Sequence, residues 1–165
     1  MDASIDTDIV IHLFRSKKKE LLFSNFEQLY MFEYLKDVEL QNNGSDIYAE
    51  FCEDVATNKI KIITNSELIK KGIKGLFETY KRDNECLFDS GELHAIALAK
   101  AMGIFAFVSD DTKNKGPHET LVKEIIEDVM PFSFYELLFL RYLSSELTSD
   151  QLYQEFEEVN SASMA

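Results

Sequence analysis

Residues 89–109, DSGELHAIALAKAMGIFAFVS, restrict the fold more than any other part of the chain. Asp89 stands three residues before Glu92, the pattern of a helix start in which a side-chain oxygen takes a first-turn N–H. The small apolar run AIALA suits a helix pressed closely onto a sheet, and Gly103 suits the residue that ends it. The following IFAFVS is continuously apolar and aromatic, so a strand there has no face to give to water. Strands buried on both faces belong to parallel sheets covered by helices on both sides.

The rest of the chain repeats this alternation. A short first strand is expected to end near Asp6, with a helix or turn after it. Residues 29–32 (LYMF) and 60–64 (IKIIT) read as strands, and 21–26, 33–40 and 46–55 as helices, the last capped by Ser45 or Asp46. Thr64 and Glu67 form a capping-box pattern for a helix from 65 to about 82, which Gly72 and Gly75 weaken. A helix is expected over 118–128 and an interruption at Pro131. Another helix follows over 132–143, capped by Ser133 with Glu136, and an acidic one over 150–159, capped by Ser149. The fold class is α/β: a three-layer α/β/α sandwich with a central, mostly parallel sheet. One domain is expected over 1–160, with 161–165 as a frayed tail.

At 165 residues and 45% hydrophobic, the chain can build a core without disulfides or a structural metal. Its two cysteines, Cys52 and Cys86, show no metal-ligand or redox spacing and read as reduced thiols. The N-terminus lacks a signal-peptide pattern, and no apolar run is long enough to span a bilayer, so a cytoplasmic location is expected. Net charge is −13, of which −8 falls in residues 119–165. Such a chain repels nucleic acid at long range, which argues against a protein that coats DNA or RNA. It remains compatible with a nuclease whose carboxylates are masked by cations, and with a basic protein partner.

Acidic residues stand where apolar strands stop. Asp6 and Asp8 follow the first strand, Asp110 and Asp111 follow IFAFVS, and Asp89 and Glu92 open the helix before it. In parallel α/β sheets, sites form just beyond the C-terminal ends of the strands. Three acidic groups gathered there would repel one another, and the physical remedy is a hard cation with oxygen ligands, Mg²⁺ or Mn²⁺. Singly, each is as well explained as a turn or cap residue. His12, His94 and His118 show no zinc spacing, and His94 reads as an ordinary helix-face histidine.

The segment Ile5-Asp6-Thr7-Asp8-Ile9-Val10 resembles the opening strand end of PIN domains. Residues 89–99 (DSGELHAIALA) resemble the D-x-G-E-x-x-A-I-x-L-A helix of a bacterial toxin-type PIN subgroup, and Val108-Ser109-Asp110-Asp111 resembles the strand end that follows it. This resemblance implies a metal-dependent nuclease, most often an endoribonuclease, with carboxylates around one or two Mg²⁺ or Mn²⁺ ions. By position, Asp6, Glu92 and Asp110 or Asp111 would be ligands. The remaining acid would be Glu39, with Glu33 as fallback, and Glu39 or Asp111 would orient the attacking water. Lys113 and Lys115 would steady a flanking phosphate, and Thr7 or Ser109 would hydrogen-bond a ligand carboxylate. RNA would be the substrate, and an antitoxin-like protein partner and a homo-oligomer are compatible with it. The chain departs from the pattern in Gly116-Pro117, in the long segment 41–59 and in its acidic C-terminal third.

Two other readings remain open. Asp6-Thr7-Asp8 superficially fits the start of a haloacid-dehalogenase-like phosphatase, although the Gly-Thr that should follow lacks its glycine. Alternatively, the fold has lost efficient chemistry and binds a protein, for which Phe132, Phe134, Tyr135, Phe139 and Tyr142 would supply an interface if they are not core.

Overall fold

The computed structural model describes residues 1–110 and 127–164. Among the described residues, five strands form one sheet: β1 (Ala3–Ile5), β2 (Leu29–Phe32), β3 (Ile60–Ile63), β4 (Ala106–Val108) and β5 (Met130–Phe132). Their order is β3-β2-β1-β4-β5, and every neighbouring pair is parallel. The chain steps outward from β1 to β3, then crosses back to lay β4 on the other side of β1. Right-handed crossovers therefore send the connections before and after this reversal to opposite faces. The result is a three-layer α/β/α fold.

One face carries α1 (Thr7–Arg15), α2 (Glu20–Asn25), α4 (Tyr48–Ala56), which follows the single turn α3 (Gln41–Asn43), and then α8 (Phe134–Leu143) and α9 (Ser149–Met164). The other carries α5 (Asn65–Lys70), α6 (Lys74–Asn84) and α7 (Ser90–Met102). Helix α7 lies on β1, β2 and β4 while α6 packs against its back. That position requires burial all round, and Ala95 to Ala99 are all 2% exposed or less. The Ser4 hydroxyl donates to the Ala95 carbonyl at 2.7 Å, tying the middle of the sheet to this helix.

Several local expectations are corrected. The helix expected from 65 to about 82 is two helices, because Gly72 adopts a left-handed φ of 72° that stops α5. Pro131 does not interrupt but lies within β5, at the sheet edge, where a missing N–H leaves no ladder bond unmade. No side chain caps α4: Asp46 instead takes Arg15 in a two-pronged pair at 2.8 Å. The last helix is capped by Thr148, whose hydroxyl accepts from the Gln151 N–H, rather than by Ser149. It runs from Ser149 to Met164. The helix expected over 118–128 lies outside the described residues as far as 126.

Of the C-terminal aromatics, Phe134 is buried, whereas Tyr135, Phe139 and Tyr142 are exposed. No helix among the described residues is long and apolar enough to cross a membrane.

Candidate metal centre

The reversal of strand order leaves a crevice between the C-terminal ends of β1 and β4, where ligands bind in sheets of this kind. Register sets what stands there. Ile5 pairs with Val108, and the Asp6 N–H extends the ladder to the Val108 carbonyl at 3.0 Å. Asp6 and Ser109 are therefore neighbours, and the Ser109 hydroxyl donates to Asp6 Oδ2 at 3.2 Å. Asp6 also caps α1: its Oδ1 accepts from the Thr7 N–H at 2.6 Å. Two donors thus hold one buried carboxylate, 2% exposed, in a single orientation.

The second set of acids comes from the start of α7. Asp89 Oδ1 accepts from the Glu92 N–H at 2.9 Å, so the cap read from the sequence is present. The same residue also belongs to the cluster, a role that a cap pattern does not signal. Asp6, Asp89 and Glu92 each offer one carboxylate oxygen within 4.8 Å of the others. The spacing D-x-x-E on a first turn, set against β1, creates this group.

Glu39 arrives by a route that the sequence does not announce. The stretch expected as ordinary helix is a π-helix, Leu35–Leu40, with the Gln41 N–H reaching back five residues to the Lys36 carbonyl. Such a widened turn re-aims side chains and recurs at functional sites. Glu39 Oε2 accepts from the Thr7 hydroxyl at 3.1 Å, and the carboxylate also hydrogen-bonds Ser90. The fallback, Glu33, is elsewhere, accepting from the Asn65 N–H at the start of α5.

A cavity of about 260 Å³ opens among Asp6, Asp8, Glu39, Asp89, Ser90 and Gly91. Gly91 forms its wall. A Cβ there would lie 2.6 Å from Asp6 Oδ1 and 2.9 Å from Glu39 Oε2, closer than any side chain tolerates. Gly91 is part of the motif but had no assigned role; its reason is this close approach.

Charge crowding shows in the titration of two of these acids. Asp6 is pushed well above the usual carboxylate range, first by burial and then by the charges of Asp8, Asp89 and Glu92. Glu39 is also raised, chiefly by burial, with Asp89 and Asp8 adding to it. A divalent cation would offset the part of these shifts that comes from the neighbouring carboxylates.

Asp110 is buried, and its Oδ2 pairs with His12 Nδ1 at 2.8 Å, while His12 Nε2 meets the Val159 carbonyl at 3.0 Å. This links the end of β4 to α1 and α9. Asp110 is not among the three acids within 4.8 Å of one another. Asp111, Lys113 and Lys115 lie outside the described residues.

The two roles of Asp89 can be separated. Asp89→Asn is expected to keep α7 capped and stability nearly unchanged, while weakening cation binding. Asp89→Ala is expected to cost a further ~0.5–2 kcal/mol. Thermal melts with and without Mn²⁺ read both effects, and equal cation response in all three proteins would remove Asp89 from the site.

Comparison with known proteins matches no family model, no curated protein and no solved structure.

Proposed function

We propose that this chain is a PIN-like, Mg²⁺- or Mn²⁺-dependent nuclease that hydrolyses phosphodiesters in RNA. The observation that carries the reading is the gathering of Asp6, Asp89 and Glu92 at the switch point of a parallel sheet. The donor set fits the ion: every ligand atom is a carboxylate oxygen, as hard cations require. These three residues would hold it. When bound, it supplies neutralising charge and polarises a phosphoryl oxygen.

The chain's own groups do the rest. Thr7 and Ser109 fix the Asp6 carboxylate, so the site is formed before any ligand arrives. Glu39, half-buried and with its proton affinity raised, is placed to accept a proton from the attacking water. Gly91 keeps the space between Glu39 and Asp6 open. The Asp110–His12 pair holds the β4 end against α1. Action in the cytoplasm, with an RNA substrate and a cognate protein partner, belongs to the same proposal.

Cleavage of 5′-labelled RNA in Mn²⁺, Mg²⁺ or EDTA tests the reading. The wild type should cut only with a divalent cation. Glu39→Gln should lower turnover by about 10²–10⁴-fold while leaving cation-induced stabilisation in place. Glu92→Gln should lose both. A wild type that cuts neither RNA nor DNA with any divalent cation would sink the proposal. The exposed apolar side of α8, with Phe139 51% and Leu143 61% exposed, would then favour a protein-binding role.

A further inference from the structure

One turn beyond Ser90, α7 carries a feature that hydrolysis does not use. His94 Nδ1–H donates to the Ser90 carbonyl at 2.6 Å, which fixes the imidazole plane. Tyr34 stacks on that ring with centroids 4.7 Å apart and planes 20° from parallel. Phe32 is also nearly parallel to it, at 5.7 Å and 13°. The three rings form a column from core to solvent: Phe32 is buried, His94 half-buried and Tyr34 37% exposed.

Cations stand beside it in a chain whose net charge is −13. Lys74 Nζ lies 5.2 Å from the Phe77 ring centroid and Lys81 Nζ 5.4 Å from the same ring, which itself flanks His94 at 6.4 Å. Both lysines share a single carboxylate, Glu78, at 2.6 and 3.6 Å, which leaves the trio net positive.

The column is continuous with the acidic site. Ser90, which receives the His94 N–H on its carbonyl, lines the same cavity as Asp6 and Asp89 and hydrogen-bonds Glu39. An aromatic platform next to cations, leading into a carboxylate cluster, matches what an unpaired strand needs. Its bases stack on rings, and its backbone is steadied by positive charge. A duplex buries both faces of each base and cannot use such a platform.

We propose that the outward face of Tyr34, backed by His94 and Phe32 and flanked by Lys74 and Lys81, is a stacking subsite for one unpaired nucleobase of a single-stranded nucleic acid. The inference takes its ligand class from the nuclease reading and adds the residues that would hold one base.

Binding and cleavage, measured separately, test it. Anisotropy in Ca²⁺ would follow a 5′-labelled single-stranded oligoribonucleotide, the same strand with abasic sites, and its duplex. Tyr34→Leu should weaken binding of the base-bearing strand by about 5- to 150-fold and barely change the abasic strand. Tyr34→Phe should bind as wild type does, and melts identify any variant that has lost its fold. Lys81→Gln should weaken both strands alike and reduce the salt dependence. Equal binding of base-bearing and abasic strands by the wild type, or an unaffected Tyr34→Leu, overturns the subsite even if RNA is cut in Mn²⁺. Tyr34-dependent binding without cleavage supports the subsite and overturns the nuclease reading. Neither binding nor cleavage overturns both.

Discussion

Replacing Gly91 with alanine is expected to destabilise the protein and abolish its response to divalent cations. Glycine to alanine within a helix normally stabilises, by up to ~1 kcal/mol, because alanine has less chain entropy to lose. Gly91 should reverse that sign. Its new methyl would stand 2.6 Å from Asp6 Oδ1 and 2.9 Å from Glu39 Oε2. Asp6 cannot retreat freely, since Thr7 and Ser109 hold its two oxygens and the residue is buried. Overpacking of this kind costs about 1–3 kcal/mol, roughly 2–4 °C of melting temperature per kcal/mol at this chain length. Gly75 is a matched control: it too is the second residue of its helix, and nothing lies within 4 Å of an added Cβ. Gly75→Ala should therefore be neutral or stabilising and should leave the cation response untouched. Melts of both variants with and without Mn²⁺ decide the matter. A Gly91→Ala protein as stable and as cation-responsive as the wild type would mean that this wall is not where the ion binds.

The second expectation concerns pH. Because the Asp6 pKa is raised in the folded state, the folded chain holds that proton more tightly than the unfolded chain does. Its contribution to stability is fully present below the unfolded carboxylate value of about 3.9 and is lost as pH rises through the folded value. Glu39 acts in the same direction. Without metal, stability should therefore fall as pH climbs out of the carboxylate range, and Mn²⁺ should restore it increasingly at higher pH. Ion uptake should release protons, visible in calorimetry as a heat that varies with buffer ionisation enthalpy. Asp6→Asn keeps a good cap for α1 while removing the charge. Its metal-free stability at pH 7 should equal or exceed that of the wild type, with a flatter pH profile and little response to Mn²⁺. If Asp6→Asn is strongly destabilised at pH 7 without metal, the ionised carboxylate supports the fold and the crowding argument fails.

Both experiments turn on residues that differ in how openly the sequence declares them. Asp6 and Glu92 are visible because each stands at a recognisable boundary, a strand end and a first helical turn. Asp89 is visible both as a cap and as part of an acidic group, and a capping pattern says nothing of what lies across from it. Glu39 depends on a widened helical turn, which has no distinct periodicity over six residues. Gly91 stands in the D-x-G-E pattern, but the pattern gives it no role; the 2.6 Å approach to Asp6 supplies one.

The layered fold was legible for a related reason. Continuous apolar strands and small-residue helices are local consequences of burial on both faces, so β4 and α7 announce themselves. Helix breaks and caps were read less well where a long-range partner intervened, as when Arg15 drew Asp46 away from α4. By itself, then, the sequence determined the element types, the parallel sheet and the placing of acids at element ends, because those follow from spacing and hydrophobicity along the chain. Tertiary structure alone decided that β4 returns beside β1, which acids share a cavity and which pair elsewhere. Those outcomes depend on distances between residues tens of positions apart, and no local pattern encodes them.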